Sequence, residues 1–221
     1  PNDSKTSASE ALIKAVVSLR EIKTAEELVE IEAAVNTTGR MHLAAMGMAR
    51  PGMGEAEIAA ALYREVIGTE AWVSFPPIAT VHGEILHAEH YSNELEPGRL
   101  FLCDCGAESG KKYAGDMTRT FPVDSTYTQK QREIYQIVLD AEIQAAAAMK
   151  PGIPYRDMHM LAAKVITNGL KSLGLMKGNT DEAVAAGAHA LFFVHGLGHQ
   201  MGLDVHDMED LGEDYVGYGD D

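Results

Sequence analysis

The chain carries nine histidines, unevenly placed. His82, His87 and His90 fall within nine residues, and His189, His195, His199 and His206 within eighteen. Imidazole is the commonest metal ligand and titrates near neutrality, so two such clusters point to a metal or acid–base site. Asp104 and Asp116 are the next pair. Asp104 ends an apolar run, Leu100-Phe101-Leu102-Cys103, and Asp116 sits twelve positions on, within Gly115-Asp116-Met117-Thr118-Arg119-Thr120-Phe121. Two strands joined as a hairpin would bring these carboxylates side by side. Like charges at that range repel unless one is protonated or a cation lies between them. The plainer alternative puts Asp104 in a turn with Cys105-Gly106 and pairs Asp116 with Arg119. His195-Gly196-Leu197-Gly198-His199 has histidines at i and i+4, but it lacks the acid of the helical zinc signature. Its glycines disfavour a helix and let backbone approach a ligand. Val205-His206-Asp207 sets a carboxylate beside an imidazole.

Several chemistries are excluded by motif. The chain has no phosphate-cradling Gly-x-x-x-x-Gly-Lys-[Ser/Thr], no strand followed by Gly-x-Gly-x-x-Gly, and no Gly-x-Ser-x-Gly elbow. Cys103 and Cys105 read as small buried hydrophobes, reduced in an intracellular protein. Both face the same side of a strand, where a bridge between them would be strained.

The elements that must position these residues are legible in outline. Thr24-Ala25-Glu26-Glu27 is a capping box that opens a helix ending at Arg50-Pro51-Gly52. A second helix begins near Glu55 and stops near Gly68. Trp72 to Leu86 reads as strands and loops. Leu100–Asp104 and Tyr113–Phe121 read as paired strands, with residues 106–112 connecting them. Thr128-Gln129-Lys130-Gln131 opens a helix to Lys150-Pro151-Gly152. Further helices run from Met158 to Gly174 and over Asp181–Ala188, and Phe192–Val194 reads as a strand. Residues 45–62 and 145–162 share one plan at an offset of 100: an alanine-rich helix end, a basic residue, Pro-Gly, a second helix. That order suggests a duplicated helix-helix-sheet unit in an α+β fold.

Composition bounds the rest. A chain of 221 residues with 46% hydrophobic and 23% charged residues can bury a sizeable core. Its net charge of −15 disfavours nucleic-acid binding and suits cations. It contains no apolar run long enough for a membrane span. The polar start, Pro1-Asn2-Asp3-Ser4-Lys5-Thr6, lacks a signal peptide's apolar core, so a cytoplasmic location is expected. The absent initiator Met and the Gly-rich acidic end suggest a piece of a longer protein. Residues 1–20 are expected to be a tail or interdomain linker, and residues 21–221 a catalytic domain lacking its C-terminal part.

Asp104-Cys105-Gly106-Ala107-Glu108, followed by Tyr113-Ala114-Gly115-Asp116-Met117-Thr118-Arg119-Thr120-Phe121-Pro122, closely resembles the first metal-binding strands of Xaa-Pro peptidases. His195 to His199 with Gly202-Leu203-Asp204-Val205-His206-Asp207 resembles their histidine motif, and Ile85-Leu86-His87 their upstream histidine. The ordered match, from about Ile22, is similar to the aminopeptidase P and prolidase branch of the methionine-aminopeptidase-like, pita-bread superfamily. The resemblance implies a duplicated α+β fold, incomplete here at its C-terminus, and a site for two divalent ions, usually manganese, with cobalt or zinc as alternatives. It assigns Asp104, Asp116 and His199 as metal ligands, and His87, His195 and His206 as residues that bind substrate and steady the transition state. It implies a metal-bridged hydroxide that attacks the carbonyl before proline in peptides. It allows a homodimer or tetramer. The loop between the aspartates is one residue longer than in many relatives, at Lys111-Lys112. The family's two glutamate ligands follow the histidine motif. Glu209 and Glu213 lack the flanking sequence and are not assigned.

The activity expected is thus removal of the residue preceding proline from a peptide's N-terminus. Prolidase, which takes only dipeptides, is the nearest alternative. A non-catalytic binding module or a metal-free hydrolase of small amidino compounds could also use this fold, but neither would need the aspartate pair.

Overall fold

A computed structural model describes residues 9–69, 71–88 and 90–217. The described residues divide into two compact units, 9–125 with 200–217, and Thr126–His199. Of the expected tail, residues 1–8 lie outside the described residues, and Glu10–Arg20 form helix α1.

The first unit continues with α2 (Ala25–Met48) and α3 (Glu55–Ile67). Both open as their local chemistry dictates. Thr24 Oγ1 accepts from the Glu27 amide at 3.3 Å, and Glu27 Oε2 accepts from the Thr24 amide at 2.7 Å. The Glu57 carboxylate accepts from the Gly54 amide at 2.8 Å. These bonds satisfy donors that a helix start leaves unpaired. Three antiparallel strands follow in spatial order: β1 (Ile78–Thr80), β2 (Leu100–Cys105) and β3 (Met117–Pro122). Met41 and Ala45 of α2, Ile58, Leu62 and Val66 of α3, and Phe101, Cys103 and Cys105 of β2 share one core. The even-numbered side chains of β2, Asp104 among them, face the other way.

β3 begins at Met117, four residues later than expected. Residues 113–116 are spoken for elsewhere: the Ala114 amide donates to Gly202 O and the Gly115 amide to Ala107 O, both at 2.8 Å. The Lys111-Lys112 loop closes as a tight turn. Lys112 adopts a left-handed backbone, φ 71°, while Ser109 Oγ accepts from the amides of Lys111 and Tyr113. Gly106 is obligatory here, because a Cβ would stand 1.9 Å from Gly115 O.

The second unit is helical. α4 (Gln129–Ala148) starts with the expected box, Thr128 against Gln131, and packs on α5 (Tyr155–Ser172) through Ala141, Ala145 and Ala162. α6 spans Thr180–Ala185, followed by a 3-10 turn at Ala188–Leu191. The helix-helix half of the repeat is visible in the backbone, since Gly52 and Gly152 both take φ 86° after their prolines. The strand expected at Phe192–Val194 does not form. Instead Phe193 stacks on His159 at 4.9 Å between ring centres and packs against the α4–α5 alanines. Only Phe193 of the run is drawn in against the helices, while Phe192 and Val194 stay exposed, so the run forms an irregular turn and not a strand.

Candidate metal centre

β2 and β3 place the two aspartates. Asp104 lies opposite Thr118 in the register, and Thr118 Oγ1 donates to its Oδ1 at 2.8 Å. Asp116 stands immediately before β3. Both line one cavity of about 530 Å³, together with His87 and His206. Phe75, Pro76, Ile78, Tyr91 and Val205 give it an apolar wall. Tyr91 Oη donates to Pro77 O at 2.5 Å, which fixes the ring against that wall, and burial pushes its phenol up to about 12.

The expected juxtaposition of carboxylates therefore holds, by a different register. Asp116 is not the strand partner of Asp104 but reaches the same cavity from the loop. Burial pushes the Asp104 carboxyl above its ordinary range. The Thr118 hydrogen bond pulls it down, and the Asp116 charge pushes it up again. A cation shared by the two carboxylates removes that conflict, and their oxygen donors suit a hard divalent ion. The donor set thus fits the metal site that the sequence motifs imply.

The histidines sort into separate environments. His87 is exposed at the cavity. His206 Nδ1 lies 2.8 Å from Glu209 Oε2, so its carboxylate neighbour is Glu209 and not the adjacent Asp207. His195 is exposed and His199 half-buried, both on irregular backbone ending the second unit. His189 is buried against His159 and belongs to packing. His82 meets Glu84 at 2.9 Å.

Three supports were not legible in the sequence. Glu55 is wholly buried, and its two oxygens accept from Thr80 Oγ1 (2.8 Å), the Val81 amide (2.9 Å), the Asn93 amide (3.0 Å) and Asn93 Nδ2 (2.9 Å). It thereby ties the start of α3 to both ends of the segment that carries His87. Asp207, also buried, pairs with Arg20 and with Lys23 Nζ, the latter at 2.7 Å. That anchors the loop bearing His206 to α1. A Cβ on Gly202 would meet Asp207 Oδ2 at 2.4 Å, so the glycine of this motif makes room for the anchor. Thr38 of α2 accepts from the Ala107 amide at 3.0 Å, holding the turn after β2. The partners of Glu55 and Asp207 are remote in the chain, which is why spacing does not reveal them.

Replacing Asp207 by asparagine leaves two cations facing a neutral amide. Because Arg20 and Lys23 keep some solvent contact, the expected loss is about 2 kcal/mol, less than for a fully buried pair. Thermal unfolding checks it, with a fall in Tm of roughly 4–8 °C expected.

Comparison with known proteins identifies the family. Residues 29–220 match the model of metallopeptidase family M24. The chain is 38% identical over 204 residues to Xaa-Pro aminopeptidase of Escherichia coli K12, covering 90% of this chain and 46% of that protein. It is 36% identical over 201 residues to the Haemophilus influenzae enzyme of the same name, covering 89% and 46%. A zinc-substituted Escherichia coli aminopeptidase P in complex with product superposes with TM-score 0.86 at 38% identity, over 91% of this chain and 46% of that one. Proline aminopeptidase P II of Yersinia pestis superposes at 0.83 with 36% identity, over 87% and 45%. The chain spans under half the length of these relatives. The expected α+β pita-bread fold is borne out by these superpositions. No helix of the described residues is long and apolar enough to cross a membrane. With its family motifs in order on one fold, the chain belongs to metallopeptidase family M24.

Proposed function

We propose that the protein is a metal-dependent exopeptidase that hydrolyses the bond between an N-terminal residue and proline. One observation carries this reading: Asp104 and Asp116 line one cavity together with His87, His206 and the apolar side chains of Phe75, Ile78 and Tyr91. The likeness to Xaa-Pro aminopeptidases supports it.

Asp104 and Asp116, with His199 as the family motif's histidine, would hold the ions, manganese by the preference of carboxylates, with cobalt or zinc as substitutes. Divalent ions held there would supply Lewis acidity toward a water and toward the scissile carbonyl. The protein's own groups do the remaining work. Thr118 occupies Oδ1 of Asp104 and so orients the carboxylate. Glu209 sits at Nδ1 of His206, which leaves Nε2 to donate to a carbonyl oxygen that gains charge. His87 lines the cavity and would bind the peptide, and the resemblance gives His195 the same role. The apolar wall with Tyr91 suits a pyrrolidine ring and excludes water from it.

The test is hydrolysis by the intact protein, supplied with Mn²⁺, of Xaa-Pro-Yaa, Xaa-Pro and Xaa-Ala-Yaa. Release of Xaa from the first and not the last is expected. Cleavage of the dipeptide alone would make it a prolidase. Cleavage of neither proline peptide would overturn the reading.

A further inference from the structure

Behind the strand that carries Asp104 lies a second group of ligating atoms. His42 of α2 and Cys103 and Cys105 of β2 are all buried, and one ligating atom from each lies within 4.8 Å of the others. Both cysteines are free thiols, with their sulfurs 3.9 Å apart. His42 Nε2 lies 2.9 Å from Met117 O and 3.4 Å from Cys105 Sγ, while its Nδ1 is buried with no hydrogen-bond partner among the described residues.

We propose that His42, Cys103 and Cys105 form a buried site for a thiophilic divalent cation of the zinc group, on the face of β2 opposite Asp104. Four features support it. The sulfur separation is right without moving the strand: metal–sulfur bonds of about 2.3 Å hold two sulfurs roughly 3.8–4.0 Å apart in tetrahedral or trigonal geometry. The donor set is soft, two thiols and an imidazole, unlike the carboxylate-rich set on the other face. The imidazole is in range, because His42 Nε2 lies 3.4 Å from Cys105 Sγ, close to the roughly 3.5 Å that a nitrogen and a sulfur bound to one zinc-sized ion would keep, and the ion would take the place of its contact with Met117 O. Charge also balances, because binding M²⁺ to two thiols releases two protons and leaves a neutral complex, which a buried site favours over a net charge. Met117 lies opposite Cys105 in the register, so its thioether is on the same face as a further soft atom.

The site differs from the proposed catalytic centre in chemistry, so the two can be told apart. Oxygen and nitrogen ligands give no thiolate-to-cadmium charge-transfer band, whereas two thiolates do. The experiment is refolding of the intact metal-free protein with increasing Cd²⁺, followed by ultraviolet absorption and thermal unfolding. A band that saturates at one equivalent, together with a raised Tm, is expected. Cys105→Ser should at least halve the band, and Asp116→Asn should leave it unchanged. A folded wild-type protein without the band, or one that shows it only when unfolded in urea, overturns the proposal. So does a Cys105→Ser variant with the full band. Because no readout is peptide hydrolysis, this result is independent of the Xaa-Pro activity.

Discussion

Replacing Asp104 by asparagine is expected to lower Xaa-Pro-Yaa hydrolysis by about 10³-fold or more, roughly 4 kcal/mol of transition-state stabilisation, without unfolding the protein. The two effects separate because the carboxylate is a functional group in a structurally unfavourable place. Burial pushes its proton affinity up and Asp116 adds to that, so at neutral pH its ionised form costs folding free energy. The amide keeps an acceptor for Thr118 and removes the repulsion with Asp116. Its Tm should therefore equal or exceed that of the metal-free wild type. Steady-state kinetics with Mn²⁺ and a thermal melt of the metal-free variant check both halves. A variant that lost activity only because it unfolded would contradict the role given to Asp104.

The reverse pattern is expected for Glu55, whose change to alanine should cost about 3–5 kcal/mol of stability. Four donors converge on its oxygens inside the core, and deletion leaves them buried without an acceptor, at roughly 1–3 kcal/mol each before relaxation. The segment from Val81 to Asn93 would loosen at both ends. Activity should fall because His87 and Tyr91 lie on that segment, even though Glu55 itself does not line the cavity. Chemical denaturation measures the loss. The pH dependence follows from the same contacts. Burial opposes ionisation of Glu55, but the hydrogen bonds from Asn93, Val81 and Thr80 outweigh it, so its carboxyl is held below the ordinary value. A carboxylate with a depressed folded-state pKa adds stability above its unfolded pKa, and loses it as pH falls through the folded value. Wild type should thus lose on acidification a contribution that Glu55→Ala no longer has, and the gap between them should narrow below about pH 4.

How far the sequence alone reaches depends on where the determining contacts lie. Helix starts were legible because a capping box is complete within four residues, as at Thr24–Glu27 and Thr128–Gln131. Both helix-helix turns were legible from Pro-Gly, since only glycine takes the left-handed backbone cheaply. The paired aspartates were legible as a pair, but not their register, which depends on Gly202 and Ala107 claiming the backbone of residues 114–115. Phe192–Val194 reads as a strand because three apolar residues in a row fit a strand or an irregular turn equally well, and here only Phe193 is drawn in against the helices. Asp207 beside His206 suggested a pair between neighbours, yet the carboxylate turns to Arg20 and Lys23, more than 180 positions away. Glu55 at a helix start reads as an ordinary dipole-favoured acid. Only the folded chain shows that it holds the wall of the site.

The most direct test of the account is to strip the intact protein of metal and follow release of Xaa from an Xaa-Pro-Yaa peptide while Mn²⁺ is added back stepwise. The account predicts no release without the ion and release that rises with occupancy of the Asp104–Asp116 centre. Full activity in the stripped protein, or none once Mn²⁺ is bound, would contradict it.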